Sequence, residues 1–198
     1  MKNKVILFIF AMLAMSQISF GQNRGSSAQT FSQDYLTFTI KDGNVVVTSC
    51  SKEATGEIII PEMVSFKSEK YPVTGIGKKA FIENKSIVSV SIPNSVTTIG
   101  ELAFCGCTRL SSVSIPNSVS NIGKGAFNDC NGLVSIVVES GNSVYDSRNN
   151  CNAIIHTATN ELIRGCQNTV IPGTVKSIGN QAFFYCKNLT SVNIPNSV

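Results

Sequence analysis

His156 is the only histidine in the chain, so imidazole chemistry of any kind would have to run through it. It is expected at a hairpin edge beside Glu161, where a histidine is ordinarily a solvated surface residue. The serines supply no nucleophile, because no G-x-S-x-G elbow occurs and there is no second histidine to activate one. The acids are spread without a recurring pair, so glycosidase-type chemistry has nothing to work with. The isolated Ile-Gly pairs match no phosphate loop. Catalysis is not expected, and neither is a cofactor.

Seven cysteines raise the question of disulfides or a metal. Cys105-x-Cys107 is a single pair without a second pair or a nearby histidine, which is weak for metal. Cys107, Cys130 and Cys186 each stand three residues after a phenylalanine, at one repeat position, where Asn84 stands in the first full unit. Exchange of Cys and Asn there suggests a buried position that hydrogen-bonds a bend. Neighbouring rungs about 4.8 Å apart with parallel side chains suit a bridge poorly, so free thiols are expected. Cys151 and Cys166 differ. If a hairpin turns on Thr157 to Asn160, His156 opposes Glu161, Ile155 opposes Leu162 and Cys151 opposes Cys166. A disulfide is compatible with that register, and two free thiols with a slipped one.

What positions these residues is a repeat. Ile92 to Ser114 (IPNSVTTIGELAFCGCTRLSSVS) is followed in step by Ile115 to Val137 (IPNSVSNIGKGAFNDCNGLVSIV), and the frame returns at Ile171 and opens again at Ile194. A fixed period of this size means stacked units, none of which buries its apolar face alone. Leu110, Val113 and Ile115 alternate with Ser112 and Ser114, the pattern of a strand with one buried face. Pro93, Pro116 and Pro172 then end the strand. Val96 and Ile99, with their counterparts one period on, form a second apolar pair. Gly100, Gly123 and Gly179 read as sharp backbone turns. Ala103-Phe104, Ala126-Phe127 and Ala182-Phe183 read as a single helical or 3₁₀ turn with the ring inward. Stacking makes the strands a parallel sheet, with outward positions Ser89 and Ser91, Ser112 and Ser114, Ser135 and Val137, and Ser191 and Asn193.

The motif L-x-x-V-x-I-P-x-x-V-x-x-I-G-x-x-A-F-x-x-C, complete from Leu110 to Cys130 and nearly so from Ile87 and Leu133, resembles the leucine-rich repeat superfamily and its BspA-like bacterial branch. The resemblance covers Ile58 to the C-terminus. It implies a β-rich right-handed solenoid of leucine-rich repeats, in a secreted or surface-anchored protein of a family associated with adhesion and host contact.

In chain order, Met1 to Gly21 reads as a signal peptide, with Lys2 and Lys4 before an apolar run from Val5 to Met15. The run is short for a membrane span, which needs about 20 residues, and no later segment is long and apolar enough. Cleavage would lower the formal net charge from +4 to +2, a balance that points to no partner class. The lysines are scattered singly, which argues against nucleic acid. Residues 22–34 (QNRGSSAQTFSQD) read as a flexible arm. Residues 35–57 alternate around Asp42-Gly43, a strong hairpin signal, and are expected to form an N-terminal capping hairpin. The array of 23-residue units then fills 58–198, with insertions near 65–71 and 139–170. The second insertion is expected to carry a hairpin projecting from the stack. At Val198 the array stops on an opening half-repeat, so a truncated array, an edge strand from Thr190 to Ile194 and self-association through the uncapped last repeat are expected.

Binding is the function these features support, through a protein or matrix partner, with a glycan weakened by the lack of any Trp. The candidate residues are Tyr145, Asp146, Arg148, Asn149 and His156 in the second insertion, since loops on a rigid scaffold tend to carry function, with Ser112 and Ser114 on the sheet face. The alternatives are a structural spacer within a larger surface protein and a module that presents a polysaccharide. Secretion or a cell-surface location follows from the leader.

Overall fold

A computed structural model describes residues 28–198; the expected leader and residues 22–27 of the expected arm lie outside the described residues. The apolar alternation of each repeat produces two rows of parallel strands. In the first, β4 (Gly56–Ile59), β7 (Ile87–Ser91), β9 (Ser112–Ile115) and β11 (Ser135–Val138) lie side by side in the order β11-β9-β7-β4. Ser112 faces Ser135 and Ser89 faces Ser112, each pair one 23-residue period apart, while Ile58 faces Val90 across the longer first unit. The second row holds the short strands β8 (Thr98–Ile99) and β10 (Asn121–Ile122), again one period apart.

A third ladder joins the turns that carry the phenylalanines. The amides of Leu102, Phe104 and Gly106 donate to the carbonyls of Lys124, Ala126 and Asn128 at 3.1, 2.8 and 2.9 Å. These segments are chains of tight turns, and the expected helical turn does not form. Each unit instead holds two residues with positive φ, at Lys79, Leu102, Gly125 and Gln181 and again at Glu83, Gly106, Asp129 and Tyr185. The frame glycines sit elsewhere, and their cause differs from the sharp turn expected. A Cβ on Gly100 would stand 2.6 Å from the backbone of Gly77 and Lys78, and one on Gly123 would stand 2.3 Å from the Glu101 nitrogen. Close approach of the neighbouring unit, rather than backbone handedness, excludes a side chain there.

Between these ladders runs the core, with Val96, Ile99, Phe104, Leu110, Val113 and Ile115 buried. The rings of Phe81, Phe104 and Phe127 stack at 4.8 and 5.3 Å between centroids. Phe183 does not join that column and is only half-buried.

At the N-terminal side, β2 (Leu36–Lys41) and β3 (Asn44–Cys50) form the hairpin around Asp42-Gly43, and β3 runs parallel to β6 (Glu69–Ile76), which pairs in turn, also parallel, with β8. The flexible reading fails for the arm's described part, because β1 (Gln29–Gln33) pairs antiparallel with β2. The insertion near 65–71 is a second hairpin, β5 (Met63–Phe66) against β6, turning on Lys67 and Ser68.

In the second insertion, β12 (Tyr145–Asp146) pairs with β13 (Ala153–His156), which turns through 157–160 into β14 (Glu161–Gly165). This hairpin does not project from the stack. Ile154, Ile155 and Leu162 are fully buried, and β14 runs parallel to β15 (Ser177–Ile178) with Leu162 opposite Ile178. It thus fills the place of a unit's second strand. Exposing three such side chains would cost about 1.5–3 kcal/mol each, so inclusion wins.

The hairpin register also corrects the expected cysteine pair. His156 faces Glu161 and Ile155 faces Leu162, but a bulge shifts the ladder so that Ile154 faces Arg164 and Ala153 faces Gly165. Cys151 and Cys166 are no longer opposite, and both are free, as are the other five cysteines. Thr190 to Ile194 forms no strand; one period earlier there is no strand for it to pair with, and β11 ends that row.

Candidate functional site

The second insertion places Tyr145, Asp146, Arg148 and His156 close together, but largely in each other's service. Asp146 accepts from Arg148 Nε at 2.7 Å and Nη2 at 2.5 Å, from the Arg148 amide at 3.0 Å and from Thr157 Oγ1 at 3.2 Å. Nη1 of Arg148 turns to Asn160 Oδ1 at 2.7 Å and Thr174 Oγ1 at 3.3 Å. Partial burial pushes the Asp146 carboxyl up, but the hydrogen bonds and charge of Arg148 outweigh it and hold it below its ordinary value. The Arg148 guanidinium is correspondingly raised by its bonds to Asp146. This fork ties β12 to the hairpin turn and to the unit beyond, and leaves few donors for a ligand.

Tyr145 is buried, against the expectation of an exposed binding aromatic. Its hydroxyl accepts the Ile122 amide at 3.2 Å, closing the end of β10, and its ring meets His156 edge-on at 5.9 Å. His156 Nδ1 lies 3.1 Å from Thr159 Oγ1, inside the turn. Asn149 is exposed, with φ 58° and ψ 27° in the tight turn Arg148–Asn150. Among the described residues no three metal-ligating side chains gather.

Ser112 and Ser114 stand on the outer face of the first strand row, both exposed, and Ser114 Oγ donates to Glu139 Oε1 at 3.2 Å. In the row of Ser91 and Ser114, Ile59 faces Ser91 and Val137 faces Ser114. Ile59 and Val137 are 68% and 47% exposed, so a strip of hydroxyls is bracketed by bare aliphatic groups. Glu139 escaped the sequence reading because it lies just past the strand.

The thiol ladder takes the geometry expected of it. Cys107 Sγ donates to Phe81 O and Cys130 Sγ to Phe104 O, both at 3.1 Å, while Asn84 Nδ2 donates to Ser51 O at 2.8 Å from the same repeat position. Burial pushes the Cys107 thiol up to about 12 and raises Cys130 further. Cys186 reaches for Gly165 O at 3.7 Å.

Arg164 also went unnoticed. It is only 4% exposed, and its signal was present: two residues from inward-facing Leu162, it shares the parity of a buried position.

A family model, the BspA type leucine rich repeat region, matches residues 74–164 and 153–198, with six copies. Solved structures resemble the chain as well. A leucine-rich repeat protein from Bacteroides capillosus is 30% identical, covering 56% of this chain and 99% of its own, with a TM-score of 0.47. The leucine rich repeat protein of T. pallidum is 27% identical, covering 81% of this chain and 69% of its own, with a TM-score of 0.53. A leucine rich cell surface protein from Faecalibacterium prausnitzii is 18% identical, covering 85% and 77%, with a TM-score of 0.39. No curated protein matches. The repeat ladders and the family match agree, and the chain belongs to the BspA-type leucine-rich repeat family.

Proposed function

We propose that this is an exported or cell-surface binding protein, built as a right-handed solenoid closed at its N-terminal end by the β1–β2–β3 meander and working by adhesion to a protein or matrix partner. The observation that carries the reading is the outer face of β4, β7, β9 and β11. It offers exposed hydroxyls at Ser91 and Ser114 on neighbouring strands, with Ser112 two residues back along β9, between the exposed aliphatic side chains of Ile59 and Val137. Rigid strands hold these groups at fixed spacing, which limits the ordering cost of binding. Asn149, exposed on the insert, is an additional contact. Family membership supports a binding role over catalysis, and the expected leader supports export. No helix among the described residues is long and apolar enough to cross a membrane.

The spacer alternative draws support from Asp146 and Arg148, whose bonds are spent within the fold. The two readings separate in a solid-phase assay of the full chain against immobilised matrix proteins and bacterial cell surfaces. Saturable binding is expected, weakened about tenfold or more, roughly 1.4 kcal/mol, when Ser112 and Ser114 are both changed to Lys while circular dichroism stays the same. Binding untouched by that pair of changes would move the site off the sheet, and no saturable binding at all would favour the spacer.

A further inference from the structure

Arg164 is a buried cation without an anion. Its Nη1 is shared among Asn128 Oδ1 at 3.4 Å, Gln181 O at 3.3 Å and Phe184 O at 3.1 Å, and Nη2 reaches only Cys186 Sγ at 3.5 Å. Nε is buried with no partner. These distances lie at the long end for N–H donors, and a guanidinium carries five of them. The ion pairs among the described residues are Lys78–Glu101 and Asp146–Arg148, so Arg164 has no carboxylate partner. Burying a charge unpaired is costly, and proteins ordinarily meet it with a counter-charge.

Space for that counter-charge exists beside it. Arg164 lines a cavity of about 150 Å³ between the Phe127 turn and the insert hairpin, together with Lys124, Gly125, Asn128, Glu161 and Gln181. Water occupies about 30 Å³ per molecule, so a group of a few heavy atoms fits. Lys124 and Glu161 contribute one charge of each sign, and Arg164 leaves the lining net positive. Asn128 adds an amide whose Nδ2 is held by Gln181 Oε1 at 3.1 Å. Gly165 stands where the column of Phe81, Phe104 and Phe127 would have placed a fourth ring, and Phe183 closes over it, its ring 2.3 Å from where a Cβ would stand. The Gly165 amide donates to Ala182 O at 2.9 Å, the bond that Phe104 makes to Ala126 O.

We propose that this cavity binds a small oxyanion, a carboxylate or a phosphate, against the guanidinium of Arg164. The guanidinium has donors to spare, and such a group grips either anion through parallel hydrogen bonds. The site stands independently of the adhesion face.

The test is thermal unfolding of the full chain at constant ionic strength, with chloride replaced stepwise by inorganic phosphate in one series and acetate in another. The expected result is a rise in Tm of about 3–6 °C at ten times the Kd, growing with the logarithm of anion concentration beyond it, in one series or both, which distinguishes the two sources. The rise should be absent in Arg164→Met. Should that variant not fold, isothermal titration calorimetry on Glu161→Gln decides: with the opposing charge removed, the anion that binds should bind about 5-fold tighter, the size of one water-screened unit-charge contact. No rise with either anion, an equal rise in Arg164→Met, or a Glu161→Gln affinity equal to wild type would each overturn the proposal.

Discussion

Phe104 is the middle ring of a column of three, and truncating it is the sharpest perturbation of the repeat stack. Its side chain is fully buried, with Phe81 at 4.8 Å on one side and Phe127 at 5.3 Å on the other, the latter within 3° of parallel. Phe→Ala in a core costs about 3–5 kcal/mol, and stacked aromatic neighbours add about 0.5–1.5 kcal/mol per pair beyond area alone. Phe104 loses two such pairs and Phe127 one, so Phe104→Ala should fall at about 5 kcal/mol and Phe127→Ala nearer 4 kcal/mol. Phe183 is half-buried and outside the column, and half of a full Phe burial is worth about 1 kcal/mol. Urea unfolding followed by far-ultraviolet circular dichroism gives the three values from midpoints and slopes. If Phe104→Ala consumes the whole stability of the chain, which is about 5–15 kcal/mol for ordinary domains, Phe104→Leu preserves the ranking at smaller cost. Equal losses at Phe104 and Phe183 would refute the column as the axis of the core.

Other outcomes follow from the same geometry. Gly123→Ala should destabilise by about 1–3 kcal/mol, because its Cβ would meet the Glu101 nitrogen at 2.3 Å, whereas Gly173→Ala, with open space around it, should stay within about 0.5 kcal/mol; equal melting temperatures for the two would contradict the rung contacts. In native buffer at pH 8, iodoacetamide should leave Cys107 and Cys130 unmodified while Cys105 reacts, since burial raises the first two far above the working pH; mass spectrometry showing early labelling at Cys130 would sink the ladder. Asp146 has a lowered pKa when folded, so its stabilisation is present above the unfolded value near 3.9 and is lost as pH falls through the folded value. The gap between wild type and Asp146→Asn should therefore be open at pH 7 and narrow below about pH 4, and a gap independent of pH would exclude the Asp146–Arg148 fork as its source.

The repeat was legible because its signals are local and recur: Leu110, Val113 and Ile115 alternate within one strand, and proline ends each strand. Asp42-Gly43 announced its hairpin for the same reason. What the sequence hid depends on distant partners. Gln29–Gln33 has a single apolar residue, and it is a strand because Thr30 and Ser32 pair across to Thr39 and Thr37 at 3.2 and 3.1 Å. The left-handed positions escaped notice because Lys79, Leu102 and Gln181 occupy them, held there by the turn ladder rather than by residue preference. One bulge at Ile154 and Ile155 undid the cysteine pairing, and no local cue marks it. The candidate site was legible in its members but not in their duties, since Tyr145 and Asp146 are bound into the fold.

The central claim is that each 23-residue unit touches its neighbours through the same rungs, so units are interchangeable in length but not in phase. Deleting Ile92 to Ser114 joins Ser91 to Ile115 in frame, and deleting Ile92 to Val113 leaves one residue too many. Measured by urea unfolding, the in-frame deletion should remain cooperative, with a slope reduced in proportion to the lost buried area. The out-of-frame deletion, which turns Ile115 to the outer face, should lose the transition. Two deletions of equal stability, or an in-frame deletion that fails to fold, would contradict the stacked-unit account.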